Sequence, residues 1–468
     1  MKLVQQKLMH AWARLGPRYL PFADVATPDL PLSRLLRLSL FQVSVGMALV
    51  LLVGTLNRVM IVELGVPASL VAIMISLPVM FAPFRALVGF RSDTHRSALG
   101  WKRVPFIWKG AMIQFGGLAI MPFAVLVLAG AGEAHRAPAW LGPLGAGLAF
   151  LLVGFGIHMT QTVGLALATD LVPPESHPKV VGLMYVMLLL GTIVSALVFG
   201  ALLENYTHGR LVQVIQGSAV ATLVLNVVAL WKQETRRPLR GAAPPPQPGF
   251  AEAWAAFRST DGALRRLFAV GIGTMAFSMQ DVLLEPYGGQ VLNLTVAATT
   301  TLTATLAGGG LLGFAWASKV LSRGSDPFRM ACLGAAVGIP AFLAVISAAS
   351  IHSAIVFGFG ALFVGFGGGL FSHGTLTATM NFAPEKYHGL ALGAWGAVQA
   401  TAAGIAVAMG GVLRDIVAAV SQRGILPASI SGPATGYIFV YSLEVILLLV
   451  TFVAMLPLLR RQALAVPA

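Results

Sequence analysis

The chain has 468 residues, of which 57% are hydrophobic and only 10% are charged. Because a soluble domain carries about 25% charged residues, this composition excludes an ordinary soluble enzyme. The net charge of +14 at pH 7 would favour nucleic acid in a soluble protein, but in a membrane protein basic loop residues report topology, so no nucleic-acid partner is expected. The single cysteine, Cys332, excludes a disulfide framework within the chain.

Apolar residues form continuous runs along the whole chain and do not alternate with polar ones, as they would in a membrane β-barrel. Many runs reach the roughly 20 residues that an α-helix needs to cross a bilayer. The sequence therefore predicts an all-α membrane protein with twelve transmembrane helices. The predicted segments are 38–62, 66–90, 105–130, 141–169, 180–203, 211–231, 264–290, 295–320, 328–350, 353–382, 389–413 and 436–459.

The distribution of basic residues predicts the topology. Of the 31 Lys and Arg residues, 25 fall in the chain ends, in the loops or at the adjoining segment ends on one side of the bundle, and Arg85 lies within segment 2. Five fall on the other side, namely Arg58, Arg136, Arg210, Arg414 and Arg423. Since positive loops stay in the cytoplasm, both termini are expected to be cytoplasmic in a bacterial inner-membrane protein.

The chain divides into two six-helix halves, 38–231 and 264–459, joined by a cytoplasmic linker at 232–263. The linker contains RRPLRGAAPPPQPG, which is too rich in proline and glycine to form a packed core. Residues 460–468 form a short tail. The N-terminal tail, 1–37, opens with MKLVQQKLMHAWARL, which fits either an amphipathic helix on the membrane surface or a disordered basic tail.

The two halves resemble each other weakly. A shift of 224 residues places NRVM, which begins at Asn57, on DVLL, which begins at Asp281. A shift of 210 residues places LVPPE, which ends at Glu175, on NFAPE, which ends at Glu385. Weak parallel repeats of six helices are typical of a transporter fold.

The loop between segments 2 and 3 reads GFRSDTHRSALGWKR. It resembles the inner-loop signature of the major facilitator superfamily, in which an acid and basic residues hold helix ends together on the cytoplasmic side. Such a gate is physically reasonable, since Asp93 could accept from helix N-terminal amides and Arg96 or Arg103 could reach carboxylates across the halves. The alternative is that these charges only anchor the topology. The predicted gate residues are Gly89, Asp93, Arg96, Gly100, Lys102 and Arg103.

Four longer stretches carry a closer resemblance. They are LPFADVATPDLPLSRLLRLSLFQVSVGMA, GTLNRVMIVELGVP, FRALVGFRSDTHRSALGWKRVPFIWKG and AFSMQDVLLEPYGGQVL. The chain resembles the PucC/LhaA family, also called the bacteriochlorophyll delivery family, from about Leu20 through the twelfth segment. That family is a branch of the major facilitator superfamily in purple phototrophic bacteria.

The resemblance implies a function in light-harvesting antenna assembly in the photosynthetic membrane. Bacteriochlorophyll is then the expected cargo or ligand, and antenna polypeptides are the expected partners. The reaction centre–antenna core complex and bacteriochlorophyll synthesis enzymes are further partners to be considered. Two other functions stay open: a transporter that moves a small solute or tetrapyrrole by alternating access, and a pigment-free scaffold for antenna subunits. Since the sequence contains no catalytic or nucleotide-binding motif, no enzymatic activity is expected.

Segment 7 contains the run AFSMQDVLLEPYGGQVL, in which Asp281 and Glu285 share one helix face. Segment 1 brings Asn57, Arg58 and Glu63 to matching depth, so Arg58 is expected to pair with Asp281 or Glu285. Such a cluster is either a fixed interhelical ion pair or an outer gate and polar anchor for pigment carbonyls, with proton coupling as a third option. Pro286, with the glycines after it, predicts a break near the outer end of this helix.

His158 in segment 4 and His373 in segment 10 are the candidate ligands of the bacteriochlorophyll Mg ion, because neutral imidazole commonly binds metals. The alternative is that each is a hydrogen-bonded packing residue. Asn57 and Gln280 are the other candidate pigment contacts. No metal held by the protein itself is expected. Arg85 lies near the inner end of segment 2 and is expected to extend to the cytoplasmic surface.

Overall fold

The structure is a computed structural model. It describes residues 31–81, 85, 88, 91–92, 97, 100–130, 132–136, 138, 140–173, 177–234, 262–321, 323–382, 388–427 and 430–464. Most of the predicted N-terminal tail and linker therefore lies outside the described residues, as do the predicted gate residues Gly89, Asp93 and Arg96.

The described residues form twelve main helices and no strands, which confirms the predicted all-α fold. Ten of these helices are long and apolar enough to cross a membrane. The helices are α1 (Leu32–Glu63), α2 (Ala68–Ser76, continued by a 3-10 turn at Leu77–Phe81), α3 (Val104–Leu128), α4 (Leu141–Asp170), α5 (His177–Leu202), α6 (His208–Leu230), α7 (Ala263–Gln290), α8 (Val296–Leu321), α9 (Pro327–Ile351), α10 (Ala354–Phe382), α11 (His388–Gln422) and α12 (Thr435–Leu464).

The boundaries differ most from the sequence prediction at two helices. Helix α1 begins at Leu32 rather than at 38, because the basic residues of its first turn are still helical. Helix α11 extends to Gln422 rather than ending at 413. Arg414 therefore lies within α11 and not in an outer loop, and Arg58 likewise lies within α1.

The helices alternate in direction, so the bundle has two faces. We call the face where α1 begins at Leu32 and α12 ends at Leu464 the terminal face, and the face where α1 ends at Glu63 and α7 ends at Gln290 the opposite face. The two six-helix halves pack together toward the opposite face. There, a Cβ on Gly411 of α11 would lie 2.7 Å from the carbonyl oxygen of Ala68 in α2.

Helices α1 and α7 depart from regular α-helix where they face each other. Helix α1 contains π-helical turns at Val50–Leu56 and Val59–Glu63, a geometry that is often found at functional sites. Helix α7 changes to a 3-10 turn at Met279–Val282 and resumes at Leu284. The break that Pro286 predicts is therefore present, about one helical turn before the proline.

Helices α8 and α10 approach so closely that their glycines contact the neighbouring backbone. A Cβ on Gly309 of α8 would overlap the carbonyl oxygen of Leu362, and a Cβ on Gly365 of α10 would overlap that of Leu306. Small residues allow such close packing within membranes.

Two adjacent glycines of α8 offer a matched test. We expect Gly309→Ala to lower the thermal unfolding temperature of the purified protein, since overpacking costs about 1–3 kcal/mol. Gly308→Ala should leave it unchanged or slightly higher, because nothing lies within 4 Å of a Cβ at that position. Equal unfolding temperatures for the two variants would contradict the described α8–α10 contact.

Candidate functional site

A hydrogen bond between the halves lies at the centre of the predicted polar cluster. Pro286 has no N–H group, so it leaves the carbonyl of Val282, four residues earlier, without its helical donor. Asn57 of α1 supplies that donor, since its Nδ2 donates to the Val282 oxygen over 2.9 Å. Asn57 is fully buried. A side chain of the N-terminal half thus donates to the carbonyl that the break in α7 leaves unpaired.

Arg58 forms the second link between the halves. Its guanidinium pairs with Glu63 and donates to the carbonyl oxygen of Leu294, after α7, over 3.1 Å. The expected pairing with Asp281 or Glu285 is therefore wrong. Gly289 explains how the guanidinium reaches past α7, because a Cβ there would lie only 3.2 Å from Arg58 Nη2.

Glu285 lies deep between the halves and is 3% exposed. Its Oε1 accepts a hydrogen bond from the hydroxyl of Thr303 in α8. Gly54 of α1 makes room for the carboxylate, since a Cβ at Gly54 would lie 2.6 Å from the same oxygen. Oε2 has no hydrogen-bond partner in the described chain. Oε2 is therefore available to accept a further hydrogen bond.

Asp281 and Gln280 lie at the 3-10 turn of α7 and connect it to α12. The Gln280 side chain donates to Asp281, and its backbone amide donates to Glu444 Oε1 over 2.7 Å. Glu444 is fully buried, and its second oxygen has no partner in the described residues. Sequence reasoning missed this acid, although a lone glutamate in the apolar run YSLEVILLLV is a visible signal.

A third link between the halves joins α11 to the first turn of α2. Asp415 Oδ2 accepts from the backbone amide of Ser69 over 2.7 Å, where the helix dipole favours a carboxylate. Its other oxygen accepts from Arg414, which also donates to Gln290 and to the Tyr437 hydroxyl. Sequence reasoning missed this link because it placed Arg414 outside the helices. We call the Asn57, Arg58 and Asp415 contacts together the opposite-face latch.

Two of the described gate residues lie close to a carboxylate at the end of α4. Arg103 of the loop before α3 pairs with Asp170 at the end of α4 over 2.9 Å and donates to Ser92 over 2.5 Å. Lys102 lies 4.0 Å from the same aspartate. Asp170 belongs to the N-terminal half, so this ion pair does not join the halves, and the reach of Arg103 across them stays a prediction. Gly100 has a φ of +78°, which explains why this turn needs glycine.

Another carboxylate accepts hydrogen bonds from the backbone amides at the start of α3. Glu234, just after α6, accepts from the backbone amides of Lys102, Arg103 and Val104 over 2.7–3.0 Å. These amides lie at and just before the start of α3 at Val104, where helical acceptors are lacking. The sequence analysis assigned this kind of bond to Asp93, which lies outside the described residues.

The two membrane histidines occupy different surroundings. His158 of α4 lies beside the backbone of Pro78 in α2, whereas His373 of α10 packs on Phe314 of α8 with ring centroids 4.2 Å apart. The structure does not bring the two rings together at one site. In each ring, Nδ1 is buried without a hydrogen-bond partner in the described chain. Each ring therefore has a nitrogen that could bind a metal or accept a hydrogen bond.

Arg85 does not extend to the surface as expected. Its Nε donates to the Thr162 hydroxyl over 3.0 Å, and its Nη2 donates to Gln161 Oε1 over 3.1 Å. Both partners lie within α4, about 12–13 Å before its end at Asp170 by the helical rise of 1.5 Å per residue. The guanidinium is therefore held inside the bundle.

Comparison with known sequences places the chain among close relatives. A family model described as "PUCC protein" matches residues 55–463. The chain is 63% identical over 420 residues to Protein PucC of Rhodovulum sulfidophilum, covering 89% of this chain and 92% of the relative. It is 60% identical over 447 residues to Protein PucC of Cereibacter sphaeroides, covering 96% of each. It is 29% identical over 398 residues to a Rhodobacter capsulatus protein named "Bacteriochlorophyll synthase 44.5 kDa chain", covering 82% of this chain and 88% of that protein.

Solved structures show the same fold. An inward-facing bacterial homologue of the human lysosomal transporter Spinster has a TM-score of 0.66 at 15% identity, covering 90% of this chain and 96% of its own. An inward-facing bacterial homologue of the iron transporter ferroportin has a TM-score of 0.64 at 16% identity, covering 91% and 98%. At such identities the likeness concerns the fold alone, which is that of the major facilitator superfamily.

The Arg58–Glu63 pair gives an asymmetric prediction. Glu63→Gln leaves a cation whose side chain is 4% exposed, whereas Arg58→Gln leaves a carboxylate that is 33% exposed. Since stranding a buried charge costs roughly 3 kcal/mol or more, Glu63→Gln should lower the unfolding temperature further than Arg58→Gln. Thermal unfolding of the purified variants measures this difference.

The exposed Glu204 provides the control, and Glu204→Gln should unfold like the wild type. The double variant Arg58→Gln with Glu63→Gln should be more stable than Glu63→Gln alone, because it removes the stranded cation. The opposite order of the two single variants would show that Arg58 is not buried as described.

Proposed function

This chain belongs to the PUCC protein family, and from that premise we propose that it serves the photosynthetic apparatus as an assembly factor for light-harvesting antenna. It binds bacteriochlorophyll within the membrane and passes it to antenna polypeptides. It does so by binding and handing over pigment, without catalysing a reaction. Family membership, with identities of 60% and more to two PucC proteins, carries this proposal.

The two membrane histidines support a pigment ligand. Bacteriochlorophyll is a large apolar ring whose Mg ion takes an axial ligand, and neutral imidazole is suited to that position. His158 and His373 each keep an unpaired Nδ1 in the described chain. Leaving a polar nitrogen unpaired in a buried site is costly, so a ligand that occupies it offsets a cost of the empty protein.

The opposite-face latch supports a direction of loading. Asn57, Arg58 and Asp415 tie the halves together on that face, so pigment reaches the bundle from the terminal face. Because both termini lie in the cytoplasm in this proposal, the terminal face is the cytoplasmic face of the bacterial inner membrane. The outward-facing apolar residues of the helices then contact lipid and the antenna polypeptides.

A second candidate function is alternating-access transport of a small solute or tetrapyrrole. The observation that favours it is the fold, which this chain shares with solved transporters in inward-facing states. In that case the latch is the gate that opens during each cycle.

Replacing each histidine in a phototrophic host that lacks its own copy tests the proposed function. We expect His158→Leu or His373→Leu, or both, to lower the near-infrared antenna absorption of the membranes several-fold at unchanged protein level. The loss follows because leucine has no donor atom that could bind Mg. His208→Leu, at an exposed position where α6 begins, is the matched control and should leave the absorption unchanged.

The outcome separates the candidates. Normal antenna absorption in both single variants and in the double variant would contradict pigment binding at these histidines and favour a pigment-free scaffold. Solute uptake by the purified protein in proteoliposomes, together with normal antenna in the double variant, would favour the transporter.

A further inference from the structure

Arg85 differs from three other arginines of the bundle, each of which pairs with a carboxylate. Arg58 pairs with Glu63, Arg103 with Asp170, and Arg414 with Asp415. Among the residues that the structure describes, Arg85 has no carboxylate within ion-pair distance, and its acceptors are the neutral Gln161 and Thr162. Its positive charge is therefore oriented by neutral groups but not balanced.

An unbalanced cation inside a membrane bundle is costly. Charged side chains at membrane depth normally pair with an opposite charge or face a wet cavity that serves function. The two neutral acceptors do not remove the charge. They hold the flat guanidinium fork in one orientation, and Nη1 has no acceptor in the described chain. The fork is thus prepared for a ligand that brings a negative charge.

The groups around Arg85 extend the polar surface. Tyr185 of α5 lies close enough to interact electrostatically with the guanidinium, as does His158 of α4. The Nδ1 of His158 has no partner among the described residues. Arg85, His158, Gln161 and Tyr185 are each partly accessible rather than fully enclosed, so a small group can reach them.

The side chains around Arg85 are suited to bind a carboxylate. A guanidinium binds a carboxylate through two parallel hydrogen bonds, while a phenol can add a further donor. The apolar helices on either side favour an amphipathic molecule over a small hydrophilic anion. We propose that Arg85, with Gln161 and Thr162 as positioning residues, is a binding subsite for the carboxylate of an amphipathic ligand.

Two sources could supply this carboxylate. One is a fatty acid from the bilayer, and the other is a tetrapyrrole whose propionate is not esterified. The subsite does not require that the chain handles pigment, so it can be correct even where the proposed function fails. Only the tetrapyrrole source rests on that function.

Matched acid and ester probes test the subsite on the full-length protein purified in detergent. The first pair is a fluorescent long-chain fatty acid and its methyl ester, and the second is a magnesium chlorin with a free propionate and the same chlorin as its ester. The wild type should bind the acid of at least one pair about tenfold more tightly than the ester, as expected for a charge-assisted hydrogen bond. The pair that shows the preference identifies the source.

Arg85→Gln should abolish the preference for the acid and leave ester binding unchanged, while Arg85→Lys should keep part of it. Arg136→Gln is the control, because Arg136 is exposed on the other side of the bundle and pairs with Glu133. No preference of the wild type in either pair, or the same preference in Arg85→Gln, would overturn the proposal.

Thermal unfolding without ligand distinguishes an arginine that binds a ligand from one that only stabilises the fold. If Arg85 is an unbalanced cation kept for binding, Arg85→Gln should unfold at the same temperature as the wild type or higher, because the variant removes a desolvated charge. A structural arginine would instead give a variant that unfolds at a clearly lower temperature, which would contradict the subsite.

Discussion

A single missing backbone donor organises the centre of the molecule. Pro286 cannot satisfy the Val282 carbonyl, and in a membrane an unsatisfied carbonyl must find its partner inside the protein. Asn57 provides that partner from the other half. The interaction fixes α1 against the break in α7. It places Arg58 one residue further on, where the guanidinium reaches the Leu294 carbonyl. The contact of α1 with α7 on the opposite face therefore follows from one proline, while the Asp415 link between α2 and α11 is separate.

The same requirement sorts the buried polar groups into two kinds. Asn57, Arg58 and Asp415 are held by partners from the opposite half and stabilise the closed face. The ring nitrogens of His158 and His373 lack such partners in the described chain. Groups of the first kind hold the architecture together. Groups of the second kind impose a cost that a bound ligand removes, which is why the proposed pigment contacts are found among them.

Sequence reasoning predicted the twelve helices, the break in α7 and the family, because each depends on local composition or on long motifs. It also selected Asn57 and Arg58. It could not predict the partners of these residues, since a helix presents several side chains at similar depth and its rotation decides which of them meet. Arg58 thus pairs with Glu63 five residues away, Arg103 pairs within its own half, and Arg85 turns onto α4. Glu444 was overlooked because one acid in an apolar run has no partner in sequence.

The central claim is that this chain carries bacteriochlorophyll within its bundle while antenna is assembled. The most direct test is the near-infrared absorption spectrum of the tagged protein, purified gently from a phototrophic host, together with identification of the chains that accompany it. The account predicts bacteriochlorophyll in stoichiometric amount and antenna polypeptides in the same preparation. Antenna polypeptides without pigment, or neither of them, would contradict it.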